Sequence, residues 1–477
     1  MPVFRRPAHA AAAGDPIPFS HGGRTHLFYL SSPPGTTDYP ERVRTSWEHV
    51  ASDDLTRWEQ LPTALGPGPD GTVDAGGVWT GSVVEHEGVF HLFYTGHDPG
   101  SDHPQTICLA TSTDLVTFRR HDANPLLLPV PGYEPVDWRD PYVFFNADEG
   151  RWWMLIAARR AHGPQWRRGV IVLATSDDLL HWSVEPEPLY DPGTTYCPEC
   201  PELWPLDGRW YLVFSRFSED VGTVYRVADS PRGPFRTPER DALGGRRWYA
   251  AKSAPAPGGR LFFGWVHDRV GDGSNERWLW GGDFAAPRRV EADANGSLRV
   301  LPVVDAWGPS EAVGSFEGPL GAPGRTASAV VVDELPAEAV IDARVDQVEA
   351  ATAGLDLVGS DGAGLRVTFD PRARRLCLTQ EPQPLDDFWA DLTGRPGDYR
   401  EVDGPVLARA DLPPGEAAVS LRVLLDGELL EVYADDAVAL TWRAPRRRVL
   451  RLEAFVTDGT AAVEVRVGRL VHGTERS

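Results

Sequence analysis

The sequence predicts an all-β protein in which a five-bladed β-propeller is followed by a C-terminal β-sandwich. Short aromatic-rich strands begin at intervals of 51 to 65 residues, at His26, His91, Trp152, Trp210 and Leu261. No segment shows sustained helical periodicity. Repeats of several short strands are typical of propeller blades, each of about 40–50 residues or somewhat more. The five aromatic strands therefore indicate five blades.

A second repeated element follows the aromatic strands and consists of Ser-x-Asp-Leu with an aromatic residue three positions later. Its copies are Ser52-Asp53-Asp54-Leu55 with Trp58, Ser112-Thr113-Asp114-Leu115 with Phe118, and Ser176-Asp177-Asp178-Leu179 with Trp182. Asp and Ser side chains bond their own backbone in turns. We therefore predict that these aspartates form turns and have no catalytic role, despite their repetition.

A change in composition divides the chain into two predicted domains. Residues 1–305 form the propeller, which is the predicted catalytic domain, and residues 306–325 are rich in Gly, Pro, Ser and Ala and are predicted to be a linker. Residues 326–477 contain alternating strands such as Gly364–Phe369 and Leu421–Leu425. Asp426-Gly427 is a strong hairpin signal, and short alternating strands over this length predict a β-sandwich.

Length and charge restrict the function classes. A chain of 477 residues is too long for one ordinary core. Its 47 basic and 69 acidic residues give a net charge of −22, which argues against nucleic acid or an anionic membrane as partner. The segment from Met1 to Ala13 lacks the apolar core of a signal peptide, so we expect a cytoplasmic location. A neutral small carbohydrate is compatible with these properties.

Three carboxylates occupy matching places before aromatic strands. Asp15 precedes His26 by 11 residues, Asp140 precedes Trp152 by 12, and Glu199 precedes Trp210 by 11. Equal offsets in a repeating fold bring the three acids to one place. Convergent carboxylates are what glycoside hydrolysis requires.

The sequence surroundings suggest different roles for the three acids. Glu199 lies among prolines, cysteines and aromatic residues, and an apolar setting raises a carboxyl pKa as a general acid needs. Asp15 lies at a Gly-Asp-Pro turn and is the better candidate for the nucleophile. Asp140 follows Arg139, which favours its ionised form, so we expect it to bind sugar hydroxyls.

Several motifs, in order along nearly the whole chain, resemble glycoside hydrolase family 32, the β-fructofuranosidase, invertase and fructanase family. The matching segments are Trp138-Arg139-Asp140-Pro141, Glu199-Cys200-Pro201, Trp79-Thr80-Gly81-Ser82 with Leu92-Phe93-Tyr94-Thr95-Gly96, Tyr249-Ala250-Ala251 through Gly264-Trp265, Ala286-Pro287-Arg288-Arg289, and Gly364-Leu365-Arg366-Val367 with Glu431-Val432-Tyr433. The last two segments resemble the exit from the propeller and the terminal sandwich.

The resemblance implies a role for each acid: Asp15 as nucleophile, Asp140 as transition-state stabiliser and Glu199 as acid/base. It also implies that Arg139 and Trp79 line the sugar pocket, and we predict Ser82 and Trp47 as further substrate-binding residues. No cofactor is expected. No metal is expected either, because Cys197 and Cys200 form a single CxxC pair, whereas a zinc site wants four ligands.

Blade one departs from the family pattern. The family usually has Trp-Met-Asn-Asp-Pro-Asn-Gly around its nucleophile, whereas this chain has Gly14 before Asp15 and Ile17 at the second Asn position. The family also tends to have Gln after the first aromatic strand, where this chain has Leu30-Ser31. The family's amides at these positions normally contact fructose hydroxyls, so we expect other groups to make these contacts in this chain.

The sequence therefore predicts a retaining glycoside hydrolase that cleaves β-D-fructofuranosides, with sucrose or short fructo-oligosaccharides as substrates. Three alternatives stay open: a fructosyltransferase, a related furanosidase acting on arabinofuranosides, and a carbohydrate-binding or sensing protein without turnover. Oligomeric state is also open, with the C-terminal sandwich as the candidate interface of a homo-oligomer.

Overall fold

The computed structural model describes residues 5–218, 221–270, 277–360, 362–381, 406–444 and 450–471, and strands dominate it. The predicted fold class is confirmed, because a five-bladed β-propeller is followed by a β-sandwich. Short 3-10 turns occur at Glu41–Val43, Gln165–Arg167 and Val304–Trp307. Within the described ranges, no helix is both long and apolar enough to cross a membrane.

In blades 1 to 4 the strands follow one another outward as antiparallel neighbours, whereas in blade 5 the second strand pairs with each of the other three. Blade 1 contains β1 (Ala13–His21), β2 (Arg24–Ser31), β3 (Ser46–Ser52) and β4 (Glu59–Leu65), and blade 2 contains β5 (Gly77–His86), β6 (Val89–His97), β7 (Gln105–Ser112) and β8 (Arg119–Arg120). Blade 3 contains β9 (Tyr133–Asn146), β10 (Arg151–Arg160), β11 (Gly169–Ser176) and β12 (Ser183–Val184), and blade 4 contains β13 (Glu199–Leu206), β14 (Arg209–Arg216) and β15 (Gly222–Ala228). Blade 5 contains β16 (Trp248–Ala256), β17 (Gly259–Val270), β18 (Arg277–Phe284) and β19 (Arg288–Ala292).

Blade 5 is joined to blade 1 by strand pairing. In β18, Gly282 pairs with Ala13 of β1, two residues before Asp15. β17 pairs with β16 on one side and with β19 on the other. The chain therefore connects its first and last blades close to the first predicted catalytic residue.

The three predicted catalytic carboxylates lie within innermost strands, and the aromatic-rich segments are the second strands of the same blades. Asp15 lies in β1, Asp140 in β9 and Glu199 at the start of β13. Each innermost strand forms a hairpin with the aromatic strand after it. The offsets from carboxylate to aromatic strand are therefore similar because the three hairpins have nearly equal lengths.

The repeated aspartates form turns, as predicted. The Oδ1 atoms of Asp54, Asp114 and Asp178 each accept hydrogen bonds from two backbone N–H groups two and three residues later, at 2.7–2.9 Å. These hydrogen bonds lower the pKa of Asp54 and Asp114, and at Asp178 they add to the larger effect of the hydrogen-bonded His181 side chain. The leucine after each aspartate has a positive φ of 61° to 68°, so the side-chain bonds stabilise a turn that the backbone alone disfavours.

The second part of the chain is a sandwich of antiparallel strands around an apolar core that includes Ile341, Leu355 and Val465. After β20 (Leu298–Pro302), its strands are β21 (Ser310–Leu335), β22 (Glu338–Gly359), β23 (Gly364–Asp370), β24 (Arg375–Glu381), β25 (Val406–Asp411), β26 (Val419–Asp426), β27 (Leu429–Ala434), β28 (Val438–Arg443) and β29 (Leu450–Leu470). The predicted hairpin at Asp426-Gly427 is confirmed, because β26 and β27 pair up to Asp426 and Leu429.

The segment predicted to be a linker, residues 306–325, differs from that expectation. Most of it belongs to β21, which pairs with β29 alone. An edge strand tolerates Gly and Pro at irregular positions, and the register shifts on both sides of the run from Gly314 to Ala322. The chain divides into two compact units. The propeller unit consists of Phe4–Asp268 and Leu279–Leu298, and the other unit includes Arg269–Trp278 and the chain from Arg299 onward. The domain limits at 305 and 326 stay a prediction.

A glycine in blade 2 provides a test of the propeller packing. The Cβ of an alanine at residue 81 would overlap the backbone oxygen of Phe93 on the neighbouring strand. We expect Gly81→Ala to lower the free energy of unfolding by about 1–3 kcal/mol or more. Gly66→Ala is the matched control, because nothing lies closer than 4.0 Å to its added Cβ. Equal unfolding midpoints for the two variants in chemical denaturation would contradict this packing.

Candidate active site

The innermost strand of every blade carries a β-bulge at the same level. In each blade the register shift gives the innermost strand one extra residue. The residues left unpaired there are Asp15 in β1, Thr80 in β5, Asp140-Pro141 in β9, Cys200-Pro201 in β13 and Ala250-Ala251 in β16. In four of the five bulges one non-glycine residue has φ between 30° and 60°. Since a bulge redirects the side chains around it, the repeat turns the five strands toward one centre.

Asp15 is held by residues from two other blades. Its Oδ1 accepts a hydrogen bond from the indole Nε1 of Trp265 at 2.8 Å, and its Oδ2 accepts one from the hydroxyl of Thr80. The thiol of Cys200 lies 3.9 Å from the same Oδ2. Both carboxylate oxygens are thus oriented by donors that are distant in the sequence.

Asp140 is buried, and its contacts connect blades 2, 3 and 4. Its backbone N–H donates to the Thr95 hydroxyl at 2.9 Å, and its Oδ2 accepts a hydrogen bond from the backbone N–H of Cys200 at 2.8 Å. Cys200 therefore contacts both Asp140 and Asp15. This residue shows how closely the bulges approach one another.

Glu199 is partly exposed and is bound at both oxygens. Its Oε1 accepts a hydrogen bond from Arg139 Nη2 at 2.9 Å, and its Oε2 accepts one from the hydroxyl of Tyr249. Tyr249 is the last paired residue before the blade 5 bulge. The structure thus brings together the three carboxylates that the sequence singled out.

A buried series of alternating charges supports Glu199. Arg139 pairs with Asp137 at 2.5 Å, Asp137 pairs with Arg159 at 3.0 Å, and Arg159 pairs with Glu134 at 2.8 Å. Arg139 and Arg159 are both buried. Because a buried charge is costly unless it is paired and hydrogen-bonded, this series holds the Arg139 guanidinium in position against Glu199.

The pKa values of two of the carboxyls are raised. Burial and the nearby charge of Asp140 raise the pKa of Asp15 to about 7, although hydrogen bonds from Thr80 and Trp265 oppose the rise. Burial also raises the pKa of Glu199; the Arg139 guanidinium opposes the shift and Asp140 adds to it. Crowding of carboxylates in a buried place outweighs the donors around them. The site therefore retains a carboxyl proton closer to neutral pH than ordinary carboxyls do.

The residues predicted to bind substrate occupy different depths. Trp79 is partly exposed and stacks on His97 with ring centroids 3.9 Å apart, while Arg139 contacts Glu199. Trp47 has no exposed surface, and its indole donates to the Trp79 carbonyl at 2.9 Å. Buried Ser82 donates to the Pro141 carbonyl at 2.8 Å. In this structure Trp47 and Ser82 are thus buried behind Trp79 and Pro141 and support the backbone of these residues.

Packing explains the departure at Gly14. A Cβ at this position would lie 2.8 Å from the ring of Trp280, which reaches over it from β18. The Trp280 ring also lies beside Trp265, the residue that hydrogen-bonds Asp15. Ile17 and Leu30, the other departures, are buried in the blade 1 core. Indole and aliphatic groups thus occupy the neighbourhood where the family pattern has amides.

Four residues that orient the carboxylates received no individual role from the sequence: Thr80, Cys200, Tyr249 and Trp265. Each belongs to a motif noted above, but each acts on a carboxylate of another blade. Their spacing to those carboxylates reflects how the blades meet and carries no local signal. Of the four, Thr80 and Cys200 lie at the repeated bulge position, so the matching places of the blade-entry motifs could have indicated these two.

Other acidic residues near these motifs have structural partners. Asp74 accepts hydrogen bonds from Tyr94 at 2.9 Å and from Arg120 at 2.7 Å, and Glu202 binds the backbone and hydroxyl of Ser253. Cys197 and Cys200 are buried free thiols beside Glu199. Among the described residues, no cluster of His, Cys, Asp or Glu is arranged to hold a metal ion.

Comparison with sequence families gives two matches. Residues 14–302 match the glycosyl hydrolases family 32 N-terminal domain, and residues 322–467 match the glycosyl hydrolases family 32 C terminal. The first match alone spans more than half of the chain.

Individual relatives extend over nearly the whole chain. The chain is 28% identical to a sucrose-6-phosphate hydrolase from Escherichia coli, covering 92% of this chain and 88% of the relative. It is also 28% identical to a raffinose invertase from Escherichia coli, covering 96% and 94%. Among solved structures, a variant of fructan 1-exohydrolase IIa from Cichorium intybus in complex with 1-kestose superimposes with a TM-score of 0.76, at 20% identity, covering 99% and 97% of the two chains.

The buried charge series predicts a difference between two arginine–aspartate pairs. Arg139→Met removes the guanidinium that pairs with Glu199 and with Asp137, which keeps its second pair with Arg159. Breaking a buried pair costs about 3–5 kcal/mol. We expect a clearly lower denaturation midpoint for this variant. Arg236→Met removes an exposed pair with Asp229 and should leave the midpoint nearly unchanged. Similar losses in the two variants, measured by near-UV circular dichroism, would contradict the support assigned to Arg139.

Proposed function

The chain belongs to glycosyl hydrolase family 32, and from this premise we propose that it is a retaining β-fructofuranosidase acting on sucrose or short fructo-oligosaccharides. The observation that carries the proposal is the convergence of Asp15, Asp140 and Glu199 at the innermost bulges, with Asp15 and Glu199 each bound at both oxygens by residues of other blades. Fixed carboxylates around a common centre are what a two-step displacement needs.

The proposed reaction has two steps. An Asp15 oxygen attacks the anomeric carbon while Glu199 gives its proton to the glycosidic oxygen, so that the leaving alcohol departs and a covalent glycosyl–Asp15 ester forms. Glu199, now ionised, then takes a proton from water, and the hydroxide oxygen attacks the same carbon and releases Asp15 and the free sugar. Two inversions at one carbon retain the configuration.

Asp140 and Arg139 have supporting roles in this proposal. Asp140 is buried and fixed by Cys200 and Thr95, so its charge is available to bind sugar hydroxyls as positive charge develops on the ring. Arg139 holds Glu199 at 2.9 Å and thereby fixes where the proton is delivered. Preorganised groups of this kind act with little reorganisation during the reaction.

The names of the relatives support fructofuranosides as the substrate class. Relatives that span nearly the whole chain are named sucrose-6-phosphate hydrolase and raffinose invertase, and a solved structure of the same fold holds 1-kestose. The arrangement around Gly14 differs from the family pattern, so the glycon contacts are expected to come from other groups. A cytoplasmic location and a homo-oligomer stay predictions.

Product analysis tests the proposal directly. We expect the chain to release fructose from sucrose and 1-kestose. Glu199→Ala should lose about 10²–10⁴-fold in kcat, and Asp15→Asn about 10³-fold or more. With an activated aryl fructoside, whose leaving group departs without a proton donor, added azide should form a fructosyl azide in Glu199→Ala, because an anion needs no base in the second step, but not in Asp15→Asn. Asp177→Asn, an exposed turn variant, is the matched control.

Each alternative gives a different outcome in these assays. If NMR shows that the released sugar first appears with the opposite anomeric configuration to the substrate, the mechanism is inverting and not retaining. Products longer than the substrate would indicate transfer, and activity confined to an aryl arabinofuranoside would change the glycon. Saturable heat of sucrose binding without turnover would indicate a carbohydrate-binding protein.

The raised carboxyl pKa values predict the pH dependence. Because the charge of Asp140 raises the pKa of both Asp15 and Glu199, Asp140→Asn should lower both. Activity requires an ionised nucleophile and a protonated acid, so both limbs of the pH profile of kcat/KM should move to lower pH in this variant. The unsubstituted chain should have an acid limb well above pH 4. An acid limb that stays in place in Asp140→Asn, measured beside Asp177→Asn, would contradict this coupling.

A further inference from the structure

Three aromatic side chains form a cluster at the edge of the active site, which we call the rim cluster: Trp166, Tyr196 and Phe217. The Tyr196 ring lies 5.1 Å from Trp166 on one side and 5.1 Å from Phe217 on the other, between ring centroids. Trp166 is 53% exposed and Phe217 is 41% exposed. Scattered exposed apolar residues are ordinary, but contiguous aromatic rings that stay exposed indicate a binding surface.

The rim cluster is held in place by one buried arginine. The Arg159 guanidinium lies 3.7 Å from the centroid of the Tyr196 ring and donates to the Tyr196 hydroxyl at 2.8 Å. The same side chain donates to the Gln165 carbonyl at 2.9 Å, directly before Trp166. On the other side, the Tyr196 backbone N–H donates to the Ser218 hydroxyl at 2.9 Å, directly after Phe217. All three rings are thereby attached to one rigid support.

The position of the rim cluster relates it to Glu199. Tyr196 precedes Glu199 by three residues, and Phe217 follows the strand in which Ser215 pairs with Glu199. Arg159, which supports the cluster, also belongs to the charge series that ends at Glu199. The cluster is therefore continuous with the side of the site that carries the proposed proton donor.

We propose that the rim cluster binds the leaving group of the substrate, the sugar ring or rings on the far side of the scissile bond. This inference rests on the proposed function, because Glu199 protonates the oxygen that departs with the leaving group. Sugar rings have apolar C–H faces that pack on aromatic rings, while their hydroxyls stay in water. Rigid, preordered aromatic side chains bind with little loss of conformational entropy. The cluster thus selects substrates by their leaving group, separately from the glycon.

The test compares kinetic constants for 1-kestose in Trp166→Ala and Phe217→Ala. We expect KM to rise about 5- to 10-fold in each, the size of one lost aromatic contact, with kcat nearly unchanged. The inhibition constant of free fructose should not change, because fructose occupies the glycon pocket alone. Phe145→Ala is the matched control: this aromatic residue is 50% exposed and lies at the opposite end of β9 from the rim. It should leave both constants unchanged.

Two results would overturn the inference: an unchanged KM in both rim variants, or a fructose inhibition constant that rises in parallel with KM. If the unsubstituted chain releases no fructose from any fructoside, the proposed function fails by itself. Calorimetry of 1-kestose binding to the same variants then decides the inference, because weaker binding in the rim variants supports it and equal binding overturns it.

Discussion

The bulge in each innermost strand is the constraint on which the site depends. A regular strand would point alternate side chains along a blade and leave the carboxylates apart. At Asp15, Asp140 and Cys200 the chain takes a left-handed conformation instead, which costs about 1–3 kcal/mol at each non-glycine residue. Contacts between blades offset that cost, since Thr80 and Trp265 bind Asp15 and Asp140 binds the Cys200 amide. The same conformations that strain the backbone therefore create the site.

Charge balance is the second condition for this arrangement. Three carboxylates in a buried place repel one another, and burial together with this repulsion raises the pKa of Asp15. Arg139 relieves part of it at Glu199, and Asp137 and Arg159 continue the alternation away from the centre. A buried ion pair is weak evidence for stability by itself. Its consequence here is that it fixes the position of the Glu199 carboxyl group, the proton donor of the proposed reaction.

The same charge series connects Glu199 to the rim cluster. Arg159 pairs with Asp137 on one side and carries the Tyr196 ring on the other. One buried guanidinium thus orders both the support of Glu199 and the rim cluster. Around Gly14, the ring of Trp280 occupies space that a side chain would need. The pocket keeps the family's acids while changing the groups that surround them, which lets recognition vary without altering the reaction.

Local patterns determined the class of fold and the position of the acids. Alternating strands, Ser-x-Asp-Leu turns and hairpins of equal length are set by backbone geometry within a few residues. They were therefore visible in the sequence, and the all-β class and the aspartate turns are confirmed.

Contacts across the sequence were decided by the tertiary structure alone. Trp265 reaches Asp15 from 250 residues away, and β21 pairs with β29 although its composition suggested a linker. The burial of Trp47 behind Trp79 is likewise a contact that only the tertiary structure decided. Such contacts depend on the closure of the ring of blades and on strand pairing between distant segments, and no local spacing encodes them. The sequence alone thus singled out the three acids that the structure brings together, while their partners and the rim cluster emerge only when the blades are packed together.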